Sequence, residues 1–505
     1  MVGMASKTLH ASPTLRVLTG VSLLLLSVAA RQPVQAQCET QPGPTTCDVA
    51  ACAGTARQQQ RAPGEGMWAQ LDSTIVGATV GAFAGQSVAL SIDGSTLAVG
   101  SLDPVNPGSV RVYAFSGGAW DQLGSDIVGE NAGDSFGLSL ALNAAGNILA
   151  VGAPFNDAGG TNSGHVRVYT WSGVDWVRLG ADLSGEAQFD FSGISVALSA
   201  RGNRLVVGAF GNDADGPGTE YGHARVYEYQ NAHWVLLGSD IDGEAPGDQS
   251  GYSVDISADG NKLAVGARFN NGDGGASSGH VRVFVWTGVG WEQLGDDMYG
   301  GGSGDTSTIF SLSDDGTTVA VGAHVNDGDS AGPNSGHARV YKFNGATWTQ
   351  VGADLDGSAA NDGFGSSVSL NSDGTVLAVG APGAGAGGSV KVYKYDDAAW
   401  TQIANDIQGD AAIGRAGQVS LDGAGLKVGV GDPQANGFLG NARVFQTIPP
   451  SPPSVASGAG SDGTHIFARD VNTSIDTDGS LPTDMPSAKS RRIPSTGRAG
   501  AYSRM

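Results

Sequence analysis

Between residues 67 and 446 the chain is written in short apolar runs rather than long periodic ones. Stretches such as SVALS, LAVG and VRVY are rich in β-branched and aromatic residues and are bounded by Gly, Asp or Ser. That is the pattern of strands about four to eight residues long. None holds the apolar period of an amphipathic helix over a useful length. The runs come in sets: Trp68, Trp120, Trp176, Trp234, Trp291, Trp348 and Trp400 recur at intervals of 52, 56, 58, 57, 57 and 52 residues. Such a period belongs to propellers and solenoids. Each unit holds four strand-like stretches of the types SVALS, LAVG, VRVY and WxQLGxDI, and four antiparallel strands repeated radially make a propeller blade. The expected fold is all-β, a seven-bladed propeller of four-stranded antiparallel blades.

The ends of the array indicate how it closes. No Trp-containing strand follows Ala442-Arg443-Val444-Phe445, while an orphan Trp68-Ala69-Gln70-Leu71 precedes the first complete unit. If that N-terminal strand completes the last blade, no sheet edge stays open. A second regularity fixes the register. One basic residue stands in the third stretch of every unit: Arg111, Arg167, Arg225, Arg282, Arg339, Lys391 and Arg443. Fifteen residues after each of the first six comes an Asp: Asp126, Asp182, Asp240, Asp297, Asp354 and Asp406. A constant offset across a hairpin predicts cross-strand pairs, worth about 0.2–1 kcal/mol each. Arg443 has no such successor and is expected to face the Thr74 region. These basic residues are read as structural.

Composition adds where the turns and the charge lie. Gly accounts for 81 of 505 residues, against about 7% in average proteins, which suits a chain of many tight turns. Lys and Arg number 27 and Asp and Glu 49, a net charge of -22. Residues 67–446 hold 16 of the basic and 41 of the acidic residues, a net of -25, so the whole excess belongs to the repeats. That field repels phosphate backbones and argues against nucleic acid as a partner, favouring cations, basic partners or simple solubility. Residues 1–36 read as a signal peptide: Lys7, His10 and Arg16 precede an apolar run from Val17 to Ala30, with Val34-Gln35-Ala36 as a cleavage site. The run is too short to span a bilayer comfortably, so a secreted, extracellular protein is expected without a transmembrane segment; an uncleaved anchor is the alternative, because Arg31 interrupts the approach to the cleavage site. Residues 37–66, with Cys38, Cys47 and Cys52 in no zinc-ligand spacing, read as a disordered tether. Residues 447–505 open with PPSPP and read as a Pro/Ser/Gly-rich disordered tail.

The repeat resembles the FG-GAP repeat of the integrin α-subunit propeller. Phe136-Gly137 and Gly152-Ala153-Pro154 stand 15 residues apart, as do Phe364-Gly365 and Gly380-Ala381-Pro382. The pairs Gly85/Gly100, Gly193/Gly208 and Gly251/Gly266 keep that distance. The resemblance implies an extracellular seven-bladed propeller used for binding rather than catalysis. It also implies a calcium loop of D-x-D-x-D-G type between the two motif elements, and there this sequence departs. The hairpins read SIDGST, NAAGN, SARGN, SADGN, SDDGT and NSDGT, and none has more than two carboxylates, short of the oxygen set calcium requires.

The carboxylates gather elsewhere. Glu130 with Asp134, Glu186 with Asp190 and Glu244 with Asp248 lie between the fourth stretch of one unit and the first of the next. Asp157, Asp213, Asp215, Asp273, Asp327 and Asp329 lie in Asn/Asp/Gly-rich loops between the second and third stretches. Both loop types are expected to leave the same face of the disc, which becomes an acidic ligand-binding surface. Alternating Asp213/Asp215 and Asp327/Asp329, with Asp273, are the candidate calcium ligands. His165, His280 and His337 in SGH and His223 in YGH recur at the start of the third stretch and are read as structural, because equivalent positions of adjacent blades cannot share one metal. No H-E-x-x-H or P-loop is present. The expected function is a monomeric, non-catalytic binding or adhesion module for an extracellular protein or glycan. A propeller-type carbohydrate-active enzyme, a glycoside hydrolase or lyase, is the alternative; it would concentrate unlike polar residues at one spot and break the repeat there.

Overall fold

The computed structural model describes residues 66–448 apart from 104, 214–217, 273–274, 307, 328–330 and 411–413. The signal peptide, all but Gly66 of the tether and residues 449–505 of the C-terminal tail lie outside the described residues; Thr447 and Ile448, read as the start of the disordered tail, instead end the strand Asn441–Ile448, where they pair with Trp68 and Met67. Within them the chain forms seven antiparallel sheets, with one four-residue helical turn at Ala435–Phe438. In blade 1 the strands are Ala84–Leu90, Thr96–Ser101 and Ser109–Ser116, followed by a fourth in two pieces, Ala119–Gln122 and Ile127–Val128. The sequence reads WxQLGxDI as one strand, and the break at Leu-Gly is the correction. Gly124 takes φ +77° there, a conformation that strains other residues. The same glycine recurs against the next blade's indole: a Cβ on Gly180 would meet Trp234 at 2.8 Å, and one on Gly352 would meet Trp400 at 2.7 Å. The preceding carbonyl accepts the indole N–H, from Trp176 to Leu123 (3.0 Å), Trp234 to Leu179 (2.8 Å), Trp291 to Leu237 (2.8 Å), Trp348 to Leu294 (2.7 Å) and Trp400 to Val351 (3.0 Å). Five of the seven recurring Trp residues are therefore hydrogen-bonded bolts between blades, while Trp68 and Trp120 only pack there.

Blade 7 is built from both ends of the repeat array. Gln418–Leu421, Lys427–Asp432 and Asn441–Ile448 are completed by Met67–Gln70 and Ile75–Val76. Trp68 lies opposite Thr447 and Ile75 opposite Ala442, which sets Thr74 beside Arg443 as the closure argument requires. At the hairpins between first and second strands the closure is complete in backbone hydrogen bonds. Ile92 donates to Ala144 (3.1 Å), Ala144 to Ala200 (3.1 Å), Ala200 to Ala258 (3.0 Å) and Ala258 to Asp314 (2.8 Å). Asp314 donates to Ser372 (2.9 Å), Ser372 to Gly423 (3.1 Å) and Gly423 back to Ile92 (2.7 Å).

The hydrophobic core sits between blades rather than inside them. Val110, Val112 and Ile127 of blade 1 pack with Leu149, Val151 and Trp176 of blade 2, and an equivalent cluster fills each seam to Ala442 and Val444 of blade 7 against Leu90, Leu97 and Trp120 of blade 1. The glycines 15 residues apart have a mechanical cause. Gly137 donates to the Gly152 carbonyl at 3.0 Å and Gly365 to that of Gly380 at 3.0 Å. The second glycine of each pair then touches the first glycine of the next blade: a Cβ on Gly152 would stand 2.0 Å from the Gly193 oxygen, and one on Gly380 1.9 Å from that of Gly417. No side chain fits that seam.

Candidate functional site

The loops between blades and the loops between second and third strands meet on one face, held together by acid–amide pairs. Asp134 Oδ2 accepts from Asn156 Nδ2 (2.7 Å), Asp248 Oδ2 from Asn270 (3.0 Å) and Asp305 Oδ2 from Asn326 (2.9 Å). Backbone N–H groups of the same connections also donate to these carboxylates, as from Glu186 (2.9 Å) and Ala187 (2.8 Å) to Asp190. Asp134, Asp190 and Asp248 are buried, at 5%, 2% and 1% exposure. Burial outweighs the donors at Asp190 and pushes its carboxyl above the usual range. These three are therefore latches inside the face, a correction to their reading as unpaired surface acids.

The glutamates are also engaged. Glu130 meets Arg167, Glu186 meets Arg225 at 2.5 Å and Glu244 approaches Arg282 at 3.5 Å; Asp410 takes the same role for Arg443 at 2.5 Å. Each arginine belongs to the following blade, so the acid and the base clamp a seam. The pairs predicted from the offset of 15 form as well: Arg111–Asp126 (2.8 Å), Arg167–Asp182 (2.9 Å), Arg225–Asp240 (2.6 Å) and Arg339–Asp354 (2.8 Å). Two of the six expected pairs do not. Lys391 donates to Ser358 Oγ at 2.9 Å, and Arg282 Nη2 donates to the Asp242 carbonyl at 2.7 Å.

The candidate calcium loops use their carboxylates internally where they are described. Asp213 accepts from the N–H groups of Gly218 (2.6 Å), Thr219 (2.8 Å) and Glu220 (2.7 Å), and Asp327 from that of Asn334 (2.9 Å). Asp215, Asp273 and Asp329 lie outside the described residues. Asp157 and Asp327 are exposed, and Asp157 accepts from the Asn162 N–H at 2.8 Å. In the tight hairpins Asp93 and Asp315 accept from the hydroxyls and N–H groups of their own turns.

Two departures from the repeat were not flagged in the sequence. The first is Asp255, the one carboxylate in the innermost strands among the described residues. Its Oδ2 accepts the Leu312 N–H (2.7 Å), where Ser311, Ser369 and Ser420 accept from Leu370 (3.0 Å), Leu421 (2.9 Å) and Leu90 (3.0 Å). Burial pushes Asp255 up to about 6 against those donors, with the charge of Asp314 adding to the rise. The second is in blade 4, where His280 Nδ1 lies 3.3 Å from Asp297 Oδ2 and 4.0 Å from Glu244 Oε2. Burial would raise Asp297, but the neighbouring His280 ring and the Gln293 and Tyr299 donors outweigh it and hold the group at about 2. The equivalent His223, in contrast, is driven down to about 4 by burial, with Arg225 adding to the effect. Burial followed by the neighbouring arginine lowers His165 and His337 too, so these three are neutral near pH 7. A shallow cleft of about 300 Å³ opens beside the blade 3–4 seam, lined by Ser239, Asp242, Arg282, Phe284 and Trp291.

Among the described residues no helix is long and apolar enough to cross a membrane. No protein-family model matches the sequence, and no curated protein matches it. The chain is similar in structure to hydrazine synthase of Kuenenia stuttgartiensis, at 14% identity and a TM-score of 0.49 over 75% of this chain and 99% of that one. It is also similar to two proteins provisionally named 6-phosphogluconolactonase. The one from Bacteroides uniformis is 13% identical with a TM-score of 0.46, over 65% of this chain and 86% of that one. The one from Bacteroides fragilis is 13% identical with a TM-score of 0.44, over 65% and 85%. What the geometry itself shows is a seven-bladed β-propeller with one face of latched, acid-rich loops.

Proposed function

We propose that this chain is an extracellular, non-catalytic binding module that presents its acidic loop face to a protein or glycan, with calcium as a bridging ion at the loops carrying Asp213 and Asp327. The observation that carries the reading is the equivalence of the loops around the ring. The same Asp–Asn latch recurs at blades 2, 4 and 5, and the same arginine clamp joins successive blades. A glycoside hydrolase would set two carboxylates across a substrate, about 5–10 Å apart. Among the described residues the innermost strands carry Asp255 as their one carboxylate, with Ala89, Ala141, Ala197, Ser311, Ser369 and Ser420 at the equivalent positions. The secreted location rests on residues 1–36 as read above. FG-GAP kinship rests on the paired glycines and their seam.

The test is a binding screen of the mature chain against arrayed glycans and extracellular-matrix proteins, with and without calcium, alongside a reducing-sugar assay on the same glycans. Saturable binding without turnover supports the module. Turnover of any polysaccharide overturns it. Binding that is indifferent to EDTA removes calcium from the face while leaving the module intact.

A further inference from the structure

In blades 3 and 5 a guanidinium lies against the carboxylates beside the histidine that opens the third strand. Arg225 reaches both Glu186 (2.5 Å) and Asp240 (2.6 Å), and Arg339 reaches Asp354 (2.8 Å). Blade 4 keeps the same residues but not the same contact. Arg282 turns its Nη2 onto the Asp242 carbonyl, lies 5.3 Å from the Phe284 ring centroid and comes no nearer than 3.5 Å to Glu244. Glu244, His280 and Asp297 face one another, with one ligand atom from each inside a 4.8 Å span; Glu186, His223 and Asp240 do the same in blade 3, but there Arg225 already pairs with both carboxylates.

His280 supplies the second, independent observation. It is fully buried, at 0% exposure, and neither ring nitrogen makes a hydrogen bond. Leaving a buried polar atom unpaired costs about 1–3 kcal/mol, so an aligned imidazole of this kind points to a ligand. Its Nδ1 is directed at both carboxylates, at 3.3 and 4.0 Å.

We propose that Glu244, His280 and Asp297 form a binding site for a divalent transition-metal ion, zinc by preference, across the seam between blades 3 and 4. One imidazole nitrogen and two carboxylate oxygens are zinc's ordinary donors, and ligands at about 2.0–2.2 Å around a tetrahedral ion lie a little over 3 Å apart. The distances from Nδ1 need close by less than 1 Å to meet that geometry. Calcium is disfavoured, because it wants six to eight oxygens and no imidazole. Outer contacts are in place: Gln293 Nε2 donates to Asp297 Oδ1 at 2.6 Å and the Tyr299 hydroxyl to Oδ2 at 3.0 Å, as metal-binding carboxylates usually require. Glu244 is half-exposed at 46%, which gives the ion a way in. The metal would staple one seam of the ring and keep a coordination position for an incoming donor.

The experiment is calorimetric titration of the chelator-treated full chain, its cysteines alkylated, with zinc, manganese and calcium chlorides, paired with thermal unfolding. The expected result is one zinc equivalent in the wild type and a raised unfolding midpoint with zinc. His280→Gln should lose that equivalent, Glu244→Gln should bind at least tenfold more weakly, and His223→Gln should keep it. Glu244→Gln alters a half-exposed side chain, so it remains informative if His280→Gln misfolds. Unchanged zinc binding in Glu244→Gln overturns the proposal. So do absence of the zinc equivalent in the wild type and calcium binding as tight as zinc.

Discussion

Replacing Asp255 by Ser, the residue that blades 5, 6 and 7 use at this position, should stabilise the ring at neutral pH and not at acidic pH. The folded state holds the Asp255 carboxyl at about 6, against 3.8 for an ordinary aspartate. Its folded pKa is raised, so the penalty is absent below pH 4, grows as the unfolded chain ionises, and is complete above pH 6. At about 1.4 kcal/mol per pH unit the gap amounts to about 3 kcal/mol. Serine keeps an acceptor for the Leu312 N–H, as Ser311 does for Leu370, but gives up the bond from Ile256 (2.8 Å). That loss offsets about 1 kcal/mol, which leaves Asp255→Ser about 1–2 kcal/mol more stable at pH 7.5 and slightly less stable at pH 4. The assay is urea unfolding of both proteins at pH 4, 5, 6 and 7.5, read by Trp fluorescence. A stability difference that does not change with pH would refute the buried-carboxylate argument.

Three further outcomes follow from the seams. Trp234→Ala should cost about 3–5 kcal/mol in the same unfolding assay. Trp68→Ala in the closing strand should cost about 1 kcal/mol less, because the Trp68 indole N–H, like that of Trp120, makes no hydrogen bond. Arg225→Met leaves Glu186 and Asp240 without their shared cation and should destabilise by about 2–4 kcal/mol, with Glu186→Gln in the same chain recovering part of the loss. Gly208→Ala places a Cβ 2.0 Å from the Gly251 oxygen and should abolish soluble, folded protein, whereas Gly133→Ala, with nothing within 4 Å, should cost only about 1 kcal/mol for its φ of +92° in a chemical melt.

What was legible in the sequence was what repeats at constant spacing. The 15-residue offset of Arg111 and Asp126 survives because both lie in one hairpin of fixed length. The other half of each clamp crosses a loop of variable length, so the separation is 38 residues for Arg282 and Glu244 but 33 for Arg443 and Asp410. No constant spacing announces it, and Glu130, Glu186 and Glu244 therefore read as free acids. The closing strand was legible because Trp68 is an unmatched copy of a repeated element. Asp255 was not, because an acid in SVDIS fits the apolar–polar alternation of a strand with one wet face. Only comparison with Ser311 and Ser369 in register shows that it is out of place. The blade 4 cluster escaped for a geometric reason: its histidine and aspartate match the repeat, and only the turn of Arg282 away from Asp297 sets them apart.

The central claim, that the acidic loop face is a binding surface, is tested most directly by removing charge from it without disturbing its turns. Asp157 and Asp327 are exposed and each uses Oδ1 to accept one backbone N–H, a bond that an asparagine in the same place can keep. The Asp157→Asn/Asp327→Asn double variant should retain the wild-type unfolding midpoint and bind the ligand found in the array screen at least tenfold more weakly at low salt. Unchanged affinity at unchanged stability would contradict the account and move the binding surface off this face.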